Sequence, residues 1–148
     1  MDELGSIIGL DIGHVRIGVA VSDPLRIAAH AREVIQHSST REAVERVREL
    51  VDNENAVCVV VGMPLDQNGH RGPQAEKVLQ FIEELRPAVR VPVVTQDERY
   101  STAAAERMLI SGNVSRKGRK NVVDKVAAQH ILQVYMDRER NLRERNTP

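Results

Sequence analysis

The sequence predicts an α/β protein, a mixed five-stranded sheet with helices packed on it. Two observations carry this. The first 35 residues hold three strand-like stretches joined by connections too short for a helix, so these strands should pair antiparallel. Farther along, apolar runs alternate with segments of helical periodicity, the pattern of strands linked by crossover helices.

The first strand is read over residues 6–12, a short apolar run. Residues 16–22 alternate, with Ile17, Val19 and Val21 on one face and Gly18 and Ala20 on the other. Gly13-His14-Val15 between them leaves room only for a hairpin turn. A third strand is expected over residues 27–35. Ser39-Thr40-Arg41-Glu42 has the form of a capping box, and Val44, Val47, Leu50 and Val51 follow at helical spacing. Residues 56–61 are wholly apolar and valine-rich, as in a buried parallel strand, with Gly62-Met63-Pro64 as its terminator. A helix from about Pro73 turns Ala75, Val78, Leu79, Ile82 and Leu85 inward and stops at Pro87. Residues 91–95 give a fifth strand, short or at an edge because of Pro92. A helix over residues 101–110 and a last one from Asn121 to about Arg140 complete the order. The charged tail, residues 137–148, is expected to fray. The 148 residues suit one domain.

Composition excludes several classes of function. Lys plus Arg and Asp plus Glu both total 21, so no global charge marks a nucleic-acid binder, and any such contact must use a local patch. Phe81, Tyr100 and Tyr135 are too few aromatics for a base-stacking platform. Cys58 is the single cysteine, which rules out an intrachain disulfide and a cysteine-rich zinc site. No stretch is long and apolar enough to span a bilayer, and the acidic start lacks the basic region of a signal peptide. A cytoplasmic location, with no membrane partner, is expected.

Three acids have surroundings unusual for a solvated carboxylate. Asp11 lies near the end of an apolar strand, where it either caps the hairpin turn or must be paired, protonated or metal-bound. Asp97-Glu98-Arg99 follows a strand, the end of an α/β sheet where ligands gather, although a solvated turn before a helix explains the triplet equally well. Asp124 heads the apolar stripe of the last helix, three residues after Asn121, where it could also serve the helix dipole. Three converging carboxylates need a cation, and oxygen ligands suit Mg²⁺ or Mn²⁺. Paired ions of that kind support phosphodiester hydrolysis. Arg116, Lys117, Arg119 and Lys120 precede Asp124, either as a solvated charge run or as a phosphate-binding segment. The five histidines show no metal-ligand spacing.

Five ordered motifs then resemble one family. They are Ile8-Gly9-Leu10-Asp11-Ile12-Gly13; Arg16-Ile17-Gly18-Val19-Ala20-Val21-Ser22-Asp23; Val61-Gly62-Met63-Pro64-Leu65 with Gly69; Asp97-Glu98-Arg99-Tyr100-Ser101-Thr102; and Val123-Asp124-Lys125-Val126-Ala127-Ala128 with Ile131-Leu132-Gln133. Together they resemble the YqgF/RuvX family, bacterial ribonuclease H-like proteins named for Holliday junction resolution or for pre-16S ribosomal RNA cleavage. The resemblance spans about residues 6–137. It implies a ribonuclease H-like fold with sheet order 3-2-1-4-5 and strand 2 antiparallel to the rest. It also implies that Asp11, Glu98 and Asp124 are the catalytic, metal-binding acids.

The expectation is therefore a Mg²⁺- or Mn²⁺-dependent nuclease acting on structured nucleic acid, either at the 5′ end of precursor 16S ribosomal RNA or on a four-way DNA junction. Arg99, Arg116, Lys117, Arg119 and Lys120 are its expected nucleic-acid contacts, and the protein is a monomer or a homodimer. A non-catalytic nucleotide- or nucleic-acid-binding assembly factor is the competing reading. Actin-like ATPases share Asp-x-Gly between hairpin strands, but they need two such domains, and this chain has room for one.

Overall fold

The structure, a computed structural model, describes residues 5–37, 39–65, 68–98 and 116–146, with side chains of the last helix described over residues 125–144. Five strands alternate with helices in the order β1 (Ile7–Ile12), β2 (Arg16–Ser22), β3 (Ala29–Gln36), α1 (Thr40–Asn53), β4 (Cys58–Met63), α2 (Pro73–Leu85), β5 (Val93–Asp97) and α3 (Arg116–Asn146). A single 3-10 turn, Arg86–Ala88, follows α2. The sheet order is β3-β2-β1-β4-β5. The first three strands form an antiparallel meander, and β4 and β5 run parallel to β1.

Period-two alternation sorts the sheet into two faces. One carries Ile8, Leu10, Ile17, Val19, Val59 and Val61, buried against Val44, Val47 and Leu50 of α1 and Val78, Ile82 and Leu85 of α2. The other carries Ile7, Ala20 and Val60 beneath Ala128, Ile131, Leu132 and Met136 of α3. Small residues dominate this second face. An added Cβ at Gly9 would stand 2.8 Å from Leu132 Cβ and 3.1 Å from the Ala128 carbonyl oxygen, so the glycine lets α3 lie directly on β1. Gln133 and Gln129 tie α3 to the start of β3: Gln133 Oε1 accepts from the Ala29 amide at 2.9 Å, and Gln129 Nε2 donates to the Ala29 carbonyl at 3.0 Å.

Several boundaries differ from those read in the sequence, each for a physical reason. Strand β3 begins at Ala29, because Asp23 organises residues 23–28 as a turn by accepting the amides of Leu25, Ile27 and Ala28. Strand β4 continues through Gly62 and Met63, which pair with Gln96 and Asp97, so Gly62 does not terminate it. Strand β5 is shifted by two residues, and the Pro92 carbonyl accepts from the Val59 amide at 2.9 Å just before it begins. Phe81 joins the buried face of α2, whereas Leu79 is only partly buried. Helix α3 starts at Arg116 and reaches Asn146, so Asn121 is an interior helical residue and the charged tail is helical through 146. Ser39 caps α1 as expected, its Oγ accepting from the Glu42 amide at 3.2 Å. The helix expected over residues 101–110 lies outside the described residues.

Candidate metal centre

Strand β1 is central, paired on one side with β2 and on the other with β4. Asp11 sits near its end, opposite Gly18, and is half-buried. Its parity is that of Ile7 and Gly9, so its side chain leaves the sheet on the α3 face. The hairpin that follows is closed by the Gly13 amide donating to the Arg16 carbonyl at 2.9 Å. Gln74 of α2 steadies it from the other face, its Nε2 donating to the Ile12 carbonyl at 2.8 Å.

The register of β4 and β5 separates the two acids of the Asp97-Glu98 pair. Asp97 is level with Met63, which belongs to the α1 and α2 face. Gln96 is level with Gly62 and accepts a hydrogen bond from Arg138 of α3 at 3.4 Å, so it belongs to the α3 face. Glu98, two residues on, returns to that face. A Cβ built on Gly62 would lie 3.1 Å from both Cγ and Cδ of Glu98 and 2.5 Å from Ile131 Cδ1. Gly62 is thus a cradle, its missing side chain occupied by the Glu98 carboxyl arm and by Ile131. The pairing of Leu10 with Val61 makes Asp11 and Gly62 neighbours on adjacent strands, about 4.8 Å apart. Asp11 and Glu98 therefore share one face of the sheet, on strands separated by β4, and the Glu98 side chain lies over Gly62 of β4, the strand next to Asp11.

Helix α3 runs antiparallel to β1 across that face. Ile7 lies with Tyr135 and Met136, and Gly9 lies against Leu132 and Ala128. The Asp124 side chain lies outside the described ones, as do those of Arg116, Lys117, Arg119 and Lys120, whose backbone forms the first turns of α3. Arg99 also lies outside the described residues. Among the described residues no three His, Cys, Asp or Glu side chains form a metal-binding group. His14 is exposed in the hairpin turn, its Nδ1 3.0 Å from Lys77 Nζ. Gly62 is the residue that sequence reasoning missed. A lone glycine inside an apolar run signals close approach as well as strand termination, and only the first meaning applies here.

Carboxylates drawn together on one sheet face repel each other unless a cation intervenes. All the donors are oxygen, which suits a hard divalent ion.

A family model described as "RuvX: Holliday junction resolvase" matches residues 5–138. The chain belongs to the RuvX family. Its family and its relatives are nucleases by name, hydrolases of phosphodiester bonds. The chain is 47% identical over 131 residues to a Desulforamulus reducens protein named "Putative pre-16S rRNA nuclease", covering 88% of this chain and 96% of the relative. A Halothermothrix orenii protein of the same name is 46% identical over 136 residues, covering 92% and 97%. Among solved structures, Thermus thermophilus RuvC in complex with Holliday junction substrate superposes with a TM-score of 0.56 at 18% identity, over 90% of this chain and 96% of that one. The RuvX-family chain thus has the ribonuclease H-like fold, with sheet order 3-2-1-4-5 and β2 antiparallel to the other members of the central sheet.

Proposed function

We propose that this RuvX-family protein is a divalent-metal-dependent nuclease that cleaves phosphodiester bonds in structured nucleic acid, and that its substrate is the 5′ end of precursor 16S ribosomal RNA in the cytoplasm. One observation carries the reading: Gly62 cradles the Glu98 carboxyl on the sheet face that bears Asp11. The names of the relatives favour ribosomal RNA. The family description and the likeness to a resolvase fold favour a second reading, a four-way DNA junction, which requires a homodimer because two symmetric cuts need two sites.

Asp11, Glu98 and Asp124 would hold Mg²⁺ or Mn²⁺. Such an ion supplies positive charge at the scissile phosphate and lowers the pKa of an attacking water. Asp11 contributes a carboxylate from a strand anchored on both sides, so its position changes little when substrate arrives. Glu98 enters from the end of an edge strand and is held against Gly62, which fixes its approach to the same face. Arg99, Arg116, Lys117, Arg119 and Lys120 take the phosphate backbone, an interaction that screens with salt.

The test presents precursor ribosomal RNA and a four-way DNA junction to one purified sample with Mg²⁺, Mn²⁺ or chelator. Cleavage should require the ion and should disappear in Asp11→Asn, whose fold stays intact because the change relieves like-charge repulsion in the metal-free protein. Near-wild-type cleavage by Asp11→Asn on whichever substrate is cut overturns the site assignment.

A further inference from the structure

A cleft that cleavage does not use lies at the other end of β1, about 13 Å along the strand from Asp11. It opens between the start of β1, the turn of residues 23–28 and the C-terminal half of α3. Ile7, Tyr135 and Met136 form its apolar part, and Arg26, Arg140 and Arg143 its cationic part. Among the described residues Glu139 is the one acid lining it, against three guanidinium groups, in a chain whose formal charges sum to zero.

Two of these guanidinium-bearing residues, Arg26 and Arg140, are held in place by the fold. Asp23 accepts the amides of Leu25, Ile27 and Ala28 at 3.1, 2.9 and 2.8 Å, which fixes the turn. Arg26 sits at its tip in the left-handed region, φ 59°, and its Nε donates to the Gly5 carbonyl at 3.3 Å. Arg140 reaches across from α3 and donates from Nη2 to the Arg26 carbonyl at 3.1 Å. Preorganised guanidinium groups recognise phosphate better than mobile lysines do, because less freedom is lost on binding. An aromatic ring with aliphatic neighbours, beside such groups, suits the flat face of a nucleobase.

We propose that this cleft binds one nucleotide unit, its phosphate on the Arg26 and Arg143 rim and its base against Tyr135 and Leu25, over a buried floor of Ile7 and Met136. The unit is a free mononucleotide or the phosphorylated end of a nucleic-acid strand, the same chemistry from two sources. The site goes beyond the proposed cleavage and lies at the opposite end of the same sheet face from the carboxylates, so each can fail without the other.

The protein carries its own reporter. Cys58 lines the cleft and is the only cysteine in the chain, so its labelling by a thiol reagent reads occupancy directly. Burial holds its thiol pKa up, so labelling is run at mildly alkaline pH, where enough thiolate forms. The probes are adenosine 5′-monophosphate, a 5′-phosphorylated RNA oligonucleotide and adenosine. A phosphorylated probe should slow labelling several-fold while adenosine leaves it unchanged. Protection should be lost in Arg143→Gln and in Arg26→Asn, the latter chosen because asparagine tolerates a left-handed backbone. It should persist in Asp11→Asn. Protection by the monophosphate identifies a free nucleotide, and protection by the RNA alone identifies a strand end. Labelling that neither phosphorylated probe slows, protection by adenosine equal to that by the monophosphate, or protection that survives both arginine changes together overturns the proposal.

Discussion

Gly62→Ala tests whether the cradle beside Asp11 is structural, catalytic or both. The new methyl would stand 2.5 Å from Ile131 Cδ1, where carbon atoms prefer about 3.5–4.0 Å, so roughly 1 Å of clearance must be found. Ile131, on the sheet-facing side of α3, is fully buried and cannot withdraw into solvent. Overpacking of this kind costs about 1–3 kcal/mol. At about 2–4 °C per kcal/mol for a domain near this size, the melting temperature should fall by roughly 3–10 °C. Glu98 Cγ and Cδ, at 3.1 Å from the same methyl, must also move by a few tenths of an ångström. Glu98 is just past a strand end and yields more readily than Ile131. Misplacement of a reacting group by about 1 Å can cost on the order of 10²-fold in rate, so cleavage should fall well beyond what the lost stability explains. Thermal unfolding followed by circular dichroism, with metal-dependent cleavage measured below the transition, reads the two effects separately. Gly72→Ala is the control, since a Cβ there meets nothing within 4 Å. If Gly62→Ala keeps both its melting temperature and its rate, the cradle is not a constraint and the placement of Glu98 loses its physical basis.

Glu98→Gln should abolish metal-dependent cleavage while Asp97→Asn keeps most of it, because the two residues leave β5 on opposite faces; calorimetric titration with Mg²⁺ or Mn²⁺ checks this, and metal binding abolished by Asp97→Asn alone refutes it. Replacing Arg116, Lys117, Arg119 and Lys120 together by alanine should weaken nucleic-acid binding and flatten its salt dependence, by about 0.7–0.9 in the slope of log K against log salt for every phosphate no longer neutralised; a salt titration with unchanged slope rejects their role in binding. The Ala28 amide, followed by those of Ile27 and Leu25, holds the Asp23 carboxyl below the usual carboxylate range. Its folded pKa is depressed, so its contribution to stability is present above the unfolded value of about 3.9 and is lost as pH falls through the folded pKa. The urea midpoints of wild type and Asp23→Ala should therefore differ at neutral pH and converge in acid.

Much of this architecture is legible in the residues, and the exceptions share a cause. The β1–β2 hairpin is visible because Ile17, Val19 and Val21 alternate with Gly18 and Ala20, and both faces are then buried. The N-terminus of α1 is visible because Ser39 is a local cap. By contrast, β5 takes in Gln96 and Asp97, polar residues whose strand state comes from pairing with Gly62 and Met63 rather than from any local preference. The start of α3 is hidden for a related reason, since Gly118 has weak helix propensity and Asn121 reads as a cap, even though the flanking Arg and Lys favour helix. The charged end of α3 is supported by interactions remote in sequence, such as Arg140 on the Arg26 carbonyl. For the candidate site, the types of acid could be read from the chain, but their common face could not. It depends on a register that only the assembled sheet defines.

Among the described strands β5 is the outermost on its side of the sheet, five residues long and paired with β4 alone, whereas β1 is bonded on both sides. The two carboxylates therefore come from elements of unequal permanence. Asp11 belongs to the part of the sheet that opens only when the whole domain unfolds. Glu98 directly follows β5, a strand that can peel away while the central sheet remains intact. The amides of β5 should accordingly exchange with solvent deuterium faster than those of β1, and each opening event dismantles the carboxylate pair without melting the protein. If Asp11 and Glu98 hold the ion as proposed, the fraction of molecules competent to bind it follows the fraying of one short strand, a quantity distinct from the global stability.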